Sequence, residues 1–452
     1  MCDTIAAHGV ADRGLTPGAH RALTARMPGL LACVLGLSVL VGCRLGFDEV
    51  PRATDPTDPA DPSDPGVDAG VLQGICDGVD AACSGDNLVS CADGQPASET
   101  VCPWSCVATG TPHCGSLPRL IVETDSATTI LDDIDLSATQ TITLNGNSGA
   151  MSSIRSSGPG LVDGIYFLGN GTLAQFRAAS FHVGSRLRLI GSTAIALVSD
   201  GPIVIDDIID VTGGCLDGEG GPGGGAGGGP YRRGYGVGGG ETDFGNGGGG
   251  GGNGSSGGSN STGEASGGVG SAGPFVLRGG GGGAGGGAST YGGYGGGGGG
   301  ALQIVSNTSI TITPNGGINA SGCGGAPGGF TYGPGGGGGG GGAIFLQAPV
   351  VTIAGKLAAN GGGGGGATGS GTAGQNGALS RTTASGGTGG GRGAAGATAA
   401  TASTTATAGG GGGVGRMLFE TRDGGVSIEQ TAVMSPAIAD GAYTTSRPAF
   451  VE

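Results

Sequence analysis

Two clusters of carboxylates stand nearest to chemistry in this sequence: Asp132, Asp133 and Asp135, then Asp206, Asp207 and Asp210. Paired Asp side chains can do general acid–base work on glycosidic bonds, and grouped ones can hold Ca²⁺. Against catalysis, Asp206-Asp207 falls between two β-branched runs, where Asp favours a turn. Its surroundings are aliphatics and Gly, not the basic or aromatic wall of a catalytic groove. A Ser-His-Asp set would depend on His182, the one histidine after residue 118, and a strand-face position is the preferred reading of that residue. Gly254-Ser255-Ser256-Gly257-Gly258 matches G-x-S-x-G in form. A nucleophile elbow needs a strand before it and a helix after it, however, and here glycine lies on both sides. Gly355-Lys356 is followed by Leu357 and lacks the upstream glycine of a phosphate loop, and Gly238–Asp243 only faintly echoes a calcium nonapeptide. The sequence assigns no catalytic residue, no metal and no cofactor.

Cysteines supply a second chemistry. Cys76, Cys83, Cys91, Cys102, Cys106 and Cys114 crowd into one short segment. An even, clustered set reads as disulfides in an oxidising compartment, with the pairing left open among many possibilities. So short a segment cannot build a core of its own, and the bridges must stabilise it. The competing reading is zinc held by Cys102, Cys106 and His113, but only Cys102/Cys106 has ligand-like spacing.

These residues need elements to carry them, and composition narrows the choice. Of 452 residues, 115 are Gly; 12% are charged and 4% aromatic, with one Trp. Glycine at that level is far above the usual ~7% and opposes long helices. A net charge of −15 without Lys/Arg clusters excludes nucleic acid as a partner. Strand-like runs, such as Leu120-Ile121-Val122, Gln140–Leu144 and Arg186–Ile190, lead into a repeating unit of three short runs. Its copies are Ala194–Val198, Ile203–Ile205, Ile209–Gly214; Ala301–Val305, Ile310–Thr313, Ile318–Gly322; and Ala343–Leu346, Val350–Ile353, Leu357–Gly361. A fourth, Arg416–Glu420 with Val426–Ile428, ends without a glycine tail, as a cap would. Three short strands cannot bury their inward faces alone, so the copies must stack, as in a parallel β-helix or solenoid; a β-sandwich is the alternative fold. Cys215 and Cys323 follow equivalent positions in successive copies, so stacking would bring them together; otherwise they are two separate thiols.

Long glycine-dominated tracts separate the copies. They lack the strict third-residue glycine of collagen and are expected to be partly disordered, because ordering Gly is entropically expensive. The competing arrangement is packed, side-chain-free extended helices of the kind found in glycine-rich phage adhesins. Tyr231, Tyr235, Tyr291, Tyr294, Phe330 and Tyr332 punctuate the tracts, either as contacts for a carbohydrate or protein partner or as anchors for the loops. From about 180 to 430 the pattern resembles the glycine-rich β-helical surface proteins of Gram-negative bacteria.

The N-terminal segment gives an address. Arg21 and Arg26 precede an apolar run from Leu30 to Val41, too short to span a bilayer and suited to a secretory signal, with Met27 an alternative start. Leu40-Val41-Gly42-Cys43 resembles the lipobox of bacterial lipoproteins, which implies diacylglycerol attachment at Cys43 and a membrane partner through that anchor. By that family's sorting rule, Arg44 in place of Asp implies the outer membrane, facing either the cell surface or the periplasm. Asp55-Pro56, Asp58-Pro59, Asp61-Pro62 and Asp64-Pro65 read as an extended stalk.

The expected organisation runs in chain order. Residues 1–42 are leader and signal peptide, 43–72 anchor and stalk, and 73–117 the six-cysteine module. Residues 118–212 are strand-rich and 213–300 a Gly-rich insertion; 301–360 hold β-repeats with a Gly-rich loop. Residues 361–413 are Gly/Ala/Thr low complexity, and 414–452 are the terminal repeat and tail. The expected function is a lipid-anchored structural or adhesive envelope protein without catalysis, meeting a cell-surface polysaccharide or protein. A carbohydrate-active lyase or hydrolase is the alternative.

Overall fold

The computed structural model describes residues 75–451 except 116, 118–130, 272, 330–332, 368, 369 and 397. Cys43, the leader, the Asp-Pro segment, Leu120-Ile121-Val122, Phe330 and Tyr332 lie outside the described residues.

The chain is all-β. Among the described residues one short 3-10 turn, Ile438–Asp440, is the only helical element. Residues 75–115 form a three-stranded antiparallel sheet, Ala81–Ser84, Asn87–Ala92 and Gln95–Val101, plus the pair Cys106–Val107 and His113–Cys114. Three disulfides hold this module: Cys76–Cys91, Cys83–Cys106 and Cys102–Cys114. Cys102 and Cys106 are therefore committed to different bridges, which removes the zinc reading.

The rest is three sheets fed in rotation. Leu173–Ala178, Ala194–Ser199, Ala301–Ser306, Ala343–Gln347, Arg416–Thr421 and Thr444–Pro448 lie side by side in the first and largest. Ser180–Val183, Ile203–Ile205, Ser309–Ile312, Val350–Ile353 and Ser427–Ile428 continue from Asp133–Asp135 in the second. Leu187–Ile190, Ile208–Asp210, Gly317–Asn319, Lys356–Ala358 and Val433–Ser435 continue from Ile142–Asn145 in the third. Pairing between successive copies is parallel throughout. Sandwich sheets are antiparallel, so the sandwich alternative is excluded.

Register explains the core. Phe176, Leu197, Ile304, Leu346 and Phe419 are cross-strand partners in one buried column; Leu187, Ile209, Ile318, Leu357 and Met434 form another. A slip of one residue would turn each set outward, so burial fixes the register. The repeat also extends beyond the copies legible in sequence. One copy precedes Ala194, hidden because Gln175, Arg177, His182 and Arg188 interrupt its aliphatic run. The fourth copy gains a third strand, Val433–Ser435, and is followed by Thr444–Pro448, so it is not the last layer.

At the other end two antiparallel strands, Gly160–Val162 and Ile165–Gly169, close the large sheet. Buried Arg155 organises this end, donating to the carbonyls of Gly149, Ser156, Gly158, Gly160 and Ile165 while packing over Phe167. Burial pulls its pKa down, yet a guanidinium remains charged, and five carbonyls replace its lost water.

The glycine tracts depart from the expected disorder: they are ordered and hydrogen-bonded. Gly280, Gly283 and Gly286 donate to Gly299, Gly296 and Gly293; Gly281 and Ala284 to Gly252 and Gly249; Gly282 and Gly285 to Tyr235 and Arg232. Each run thus serves three neighbours in a period of three, the signature of extended three-fold helices. The absence of side chains makes the close approach possible. A Cβ on Gly281, Gly282 or Gly283 would fall within 3.0 Å of a carbonyl oxygen of Gly238, Ala226 or Gly337 respectively. Backbone hydrogen bonds in three directions offset the entropic cost that made disorder the expectation. Cys215–Cys323, with Cα atoms 5.1 Å apart, ties this slab across successive copies.

Candidate functional site

His182 joins the two carboxylate clusters. Its strand, Ser180–Val183, lies between Asp133–Asp135 and Ile203–Ile205, with His182 opposite Asp135. Nδ1 lies 3.0 Å from Asp135 Oδ1 and Nε2 lies 2.8 Å from Asp206 Oδ2. An ionised carboxylate only accepts, so two carboxylates on one ring favour the doubly protonated imidazolium over either neutral tautomer. The hydrogen bond to Asp206 leads the effects that raise the His182 pKa. The Asp206 pKa falls chiefly through the same bond; that of Asp135 falls chiefly through the Ser137 hydroxyl, 2.5 Å away, with His182 contributing. A glycosidic general acid needs a raised carboxyl pKa, and both of these move the other way.

The other cluster members diverge. Asp133 accepts from Ser180, and Asp207 caps its own turn through the Ile208 N–H. Asp210 pairs with Arg186 and accepts from Thr212. The N–H of Asp132 bonds the Gly164 carbonyl, at the antiparallel end. In the G-x-S-x-G segment, Ser255 Oγ accepts from the Val414 N–H and Ser256 Oγ from the Gly270 N–H, both packing roles within the slab. Among the described residues no group of three or more His, Cys, Asp or Glu is arranged to hold a metal. Tyr231, Tyr235, Tyr291 and Tyr294 are exposed on the slab, Tyr231 meeting Phe244 edge-on at 6.1 Å.

Sequence reasoning missed a groove of about 850 Å³ on the outward face of the large sheet. In-register alanines, Ala301 and Ala343, leave room for the segment around Phe275 and Leu277 to lie over that face. Beside it, Gln303 Nε2 donates to Gln347 Oε1 at 2.5 Å and Gln347 Nε2 to Glu420 Oε2 at 2.6 Å. Arg447 then donates Nε and Nη2 to Glu420 Oε1 at 2.9 and 2.6 Å. The two amides and the carboxylate are each 7% exposed, yet they line the groove with Phe345, Leu418 and Phe450. The signal was present in the sequence: a Gln or Glu interrupts the apolar first strand of three consecutive copies.

No protein-family model matches this chain, and searches of curated proteins and of solved structures found no match.

Proposed function

We propose that this chain is an exported, lipid-anchored envelope protein whose body is a parallel β-helix acting as a rigid structural or adhesive scaffold. One observation carries the reading. Cys215–Cys323 bridges equivalent points of successive copies, 108 residues apart in sequence. Such a bond fits both an oxidising compartment and repeats that lie next to one another. Every other cysteine among the described residues is also paired. The three-sheet rotation supports the β-helix, and the lipobox-like Leu40–Cys43 supports the anchor at the outer membrane. The placement of His182 between Asp135 and Asp206, which lowers both carboxyl pKa values, favours scaffold over lyase or hydrolase.

The test is palmitate labelling of whole cells combined with protease shaving, on wild type and Cys43→Ala. Label lost in the variant, with wild type shaved from intact cells, is the expected result. Labelled but unshaved protein would place the body in the periplasm, in contact with the cell wall. Absence of label on wild type would overturn the anchor.

A further inference from the structure

We infer that the groove on the large sheet binds a neutral, linear oligosaccharide, which deepens the adhesive half of the function proposed above and rests on it. The floor is built for hydroxyl groups. Gln303, Gln347 and Glu420 are more than nine-tenths buried, so their amide and carboxylate planes are fixed before a ligand arrives. Pre-organisation of this kind lowers the ordering cost of binding. The ladder runs one way, from amide to amide to carboxylate to guanidinium. Its ends, the Gln303 carbonyl oxygen and Arg447 Nη1, are left as an acceptor and a donor. Apolar surface flanks it: Phe345 packs against Phe275 at 5.4 Å, Leu418 adjoins them, and Phe450 is 70% exposed. Flat apolar rings beside fixed polar planes suit the two kinds of surface a pyranose presents.

Other ligand classes fit less well. Most of the groove lies on a sheet face, where backbone N–H and C=O groups are already spent in the parallel ladder. An extended peptide binding by strand addition needs a free edge, and the one edge strand here, Thr444–Pro448, carries Pro448, which has no N–H to donate. A polyanion needs uncommitted cations in the groove. Of the arginines in or beside it, Arg447 is bound to Glu420 and Arg416 donates to the Pro274 carbonyl and lies over Phe275, while Arg278, close enough to act on Arg416, is not among the lining residues. The chain's net charge of −15 adds a long-range penalty. A linear ligand follows from register: Gln347, Glu420 and Arg447 are direct partners on three consecutive strands, so a polar group recurs every ~4.8 Å along the groove.

The experiment is isothermal titration of the full chain with cellohexaose, chitohexaose and xylohexaose, and with polygalacturonate as the acidic comparison. At least one neutral hexasaccharide should bind with a dissociation constant on the order of 0.1–1 mM. Phe450→Ala, at an exposed position, should weaken it about tenfold with thermal unfolding unchanged; Gln347→Leu should weaken it as much or more, together with a lower unfolding temperature because Gln303 and Glu420 lose a buried partner. No binding by any neutral hexasaccharide, a preference for polygalacturonate, or affinity indifferent to both substitutions would overturn the inference. Palmitate labelling reads the anchor independently. A labelled, shaved protein that ignores all three sugars loses this site and keeps the scaffold.

Discussion

Both nitrogens of His182 face acceptors, and the sign of its contribution follows from that. Its pKa is raised in the folded chain, so its stabilisation is complete below the ordinary value of about 6.5 and fades as pH climbs through the higher folded value. Asp135 and Asp206 are lowered, so their contribution holds above about pH 4 and is lost as pH falls through their folded values. The bridge is therefore strongest in mildly acidic solution. An NMR titration should place the His182 midpoint above 6.5, and Asp206→Asn should bring it down. Because the pair is well exposed, its loss should cost no more than about 1 kcal/mol. Arg155 is the opposite case. Arg155→Met would strand several carbonyls in a buried site and should lower unfolding stability by about 3 kcal/mol in urea melts. Neither role was legible in the sequence. The carboxylate clusters stood out by composition, but which members meet His182 depends on strand register between segments 47 and 24 residues apart.

The elements were legible where residue type alone decides them. Runs such as Ile203-Val204-Ile205 and Val350–Ile353 alternate inward and outward and are strands in the structure. The copy at 173–190 was not recognised as a repeat, although its last strand was read as a run, because its strands carry Gln, Arg and His: Arg177 pairs with Asp200, His182 lies between Asp135 and Asp206, and Gln175 is buried. The glycine tracts misled for a different reason. Glycine has no side chain to signal periodicity, and its entropy argues for disorder. Order comes from three-way backbone contacts between segments distant in sequence. Gly283→Ala and Gly339→Ala each drive a methyl into a neighbouring carbonyl and should destabilise by about 3 kcal/mol or more. Gly273→Ala meets only Ser271 Oγ, at 3.8 Å, and should be nearly neutral, as paired thermal melts would show.

At the scale of the whole molecule, the sheets carry a long apolar core while the slab is held mainly by backbone hydrogen bonds, with the Cys215–Cys323 bridge and side chains such as Asn253 and Ser255 adding ties. A disulfide module at one end adds Asp86, 3.2 Å from Arg422 of the body. The edge strand Thr444–Pro448 carries Arg447 and Pro448, which discourage a further strand from pairing there. Opening the longest disulfide loop should matter most. Cys215→Ser with Cys323→Ser should lower stability by about 4 kcal/mol on chain-entropy grounds. Paired cysteines at equivalent repeat positions were visible in the sequence; the slab they staple was not. The most direct measurement is hydrogen exchange, by mass spectrometry, across residues 279–300 and 334–342 of the full chain. The packed slab predicts amides there protected for hours, comparably with the strands at 301–306 and 343–347. Exchange at the rate of an unstructured peptide would contradict it, and with it the rigid scaffold.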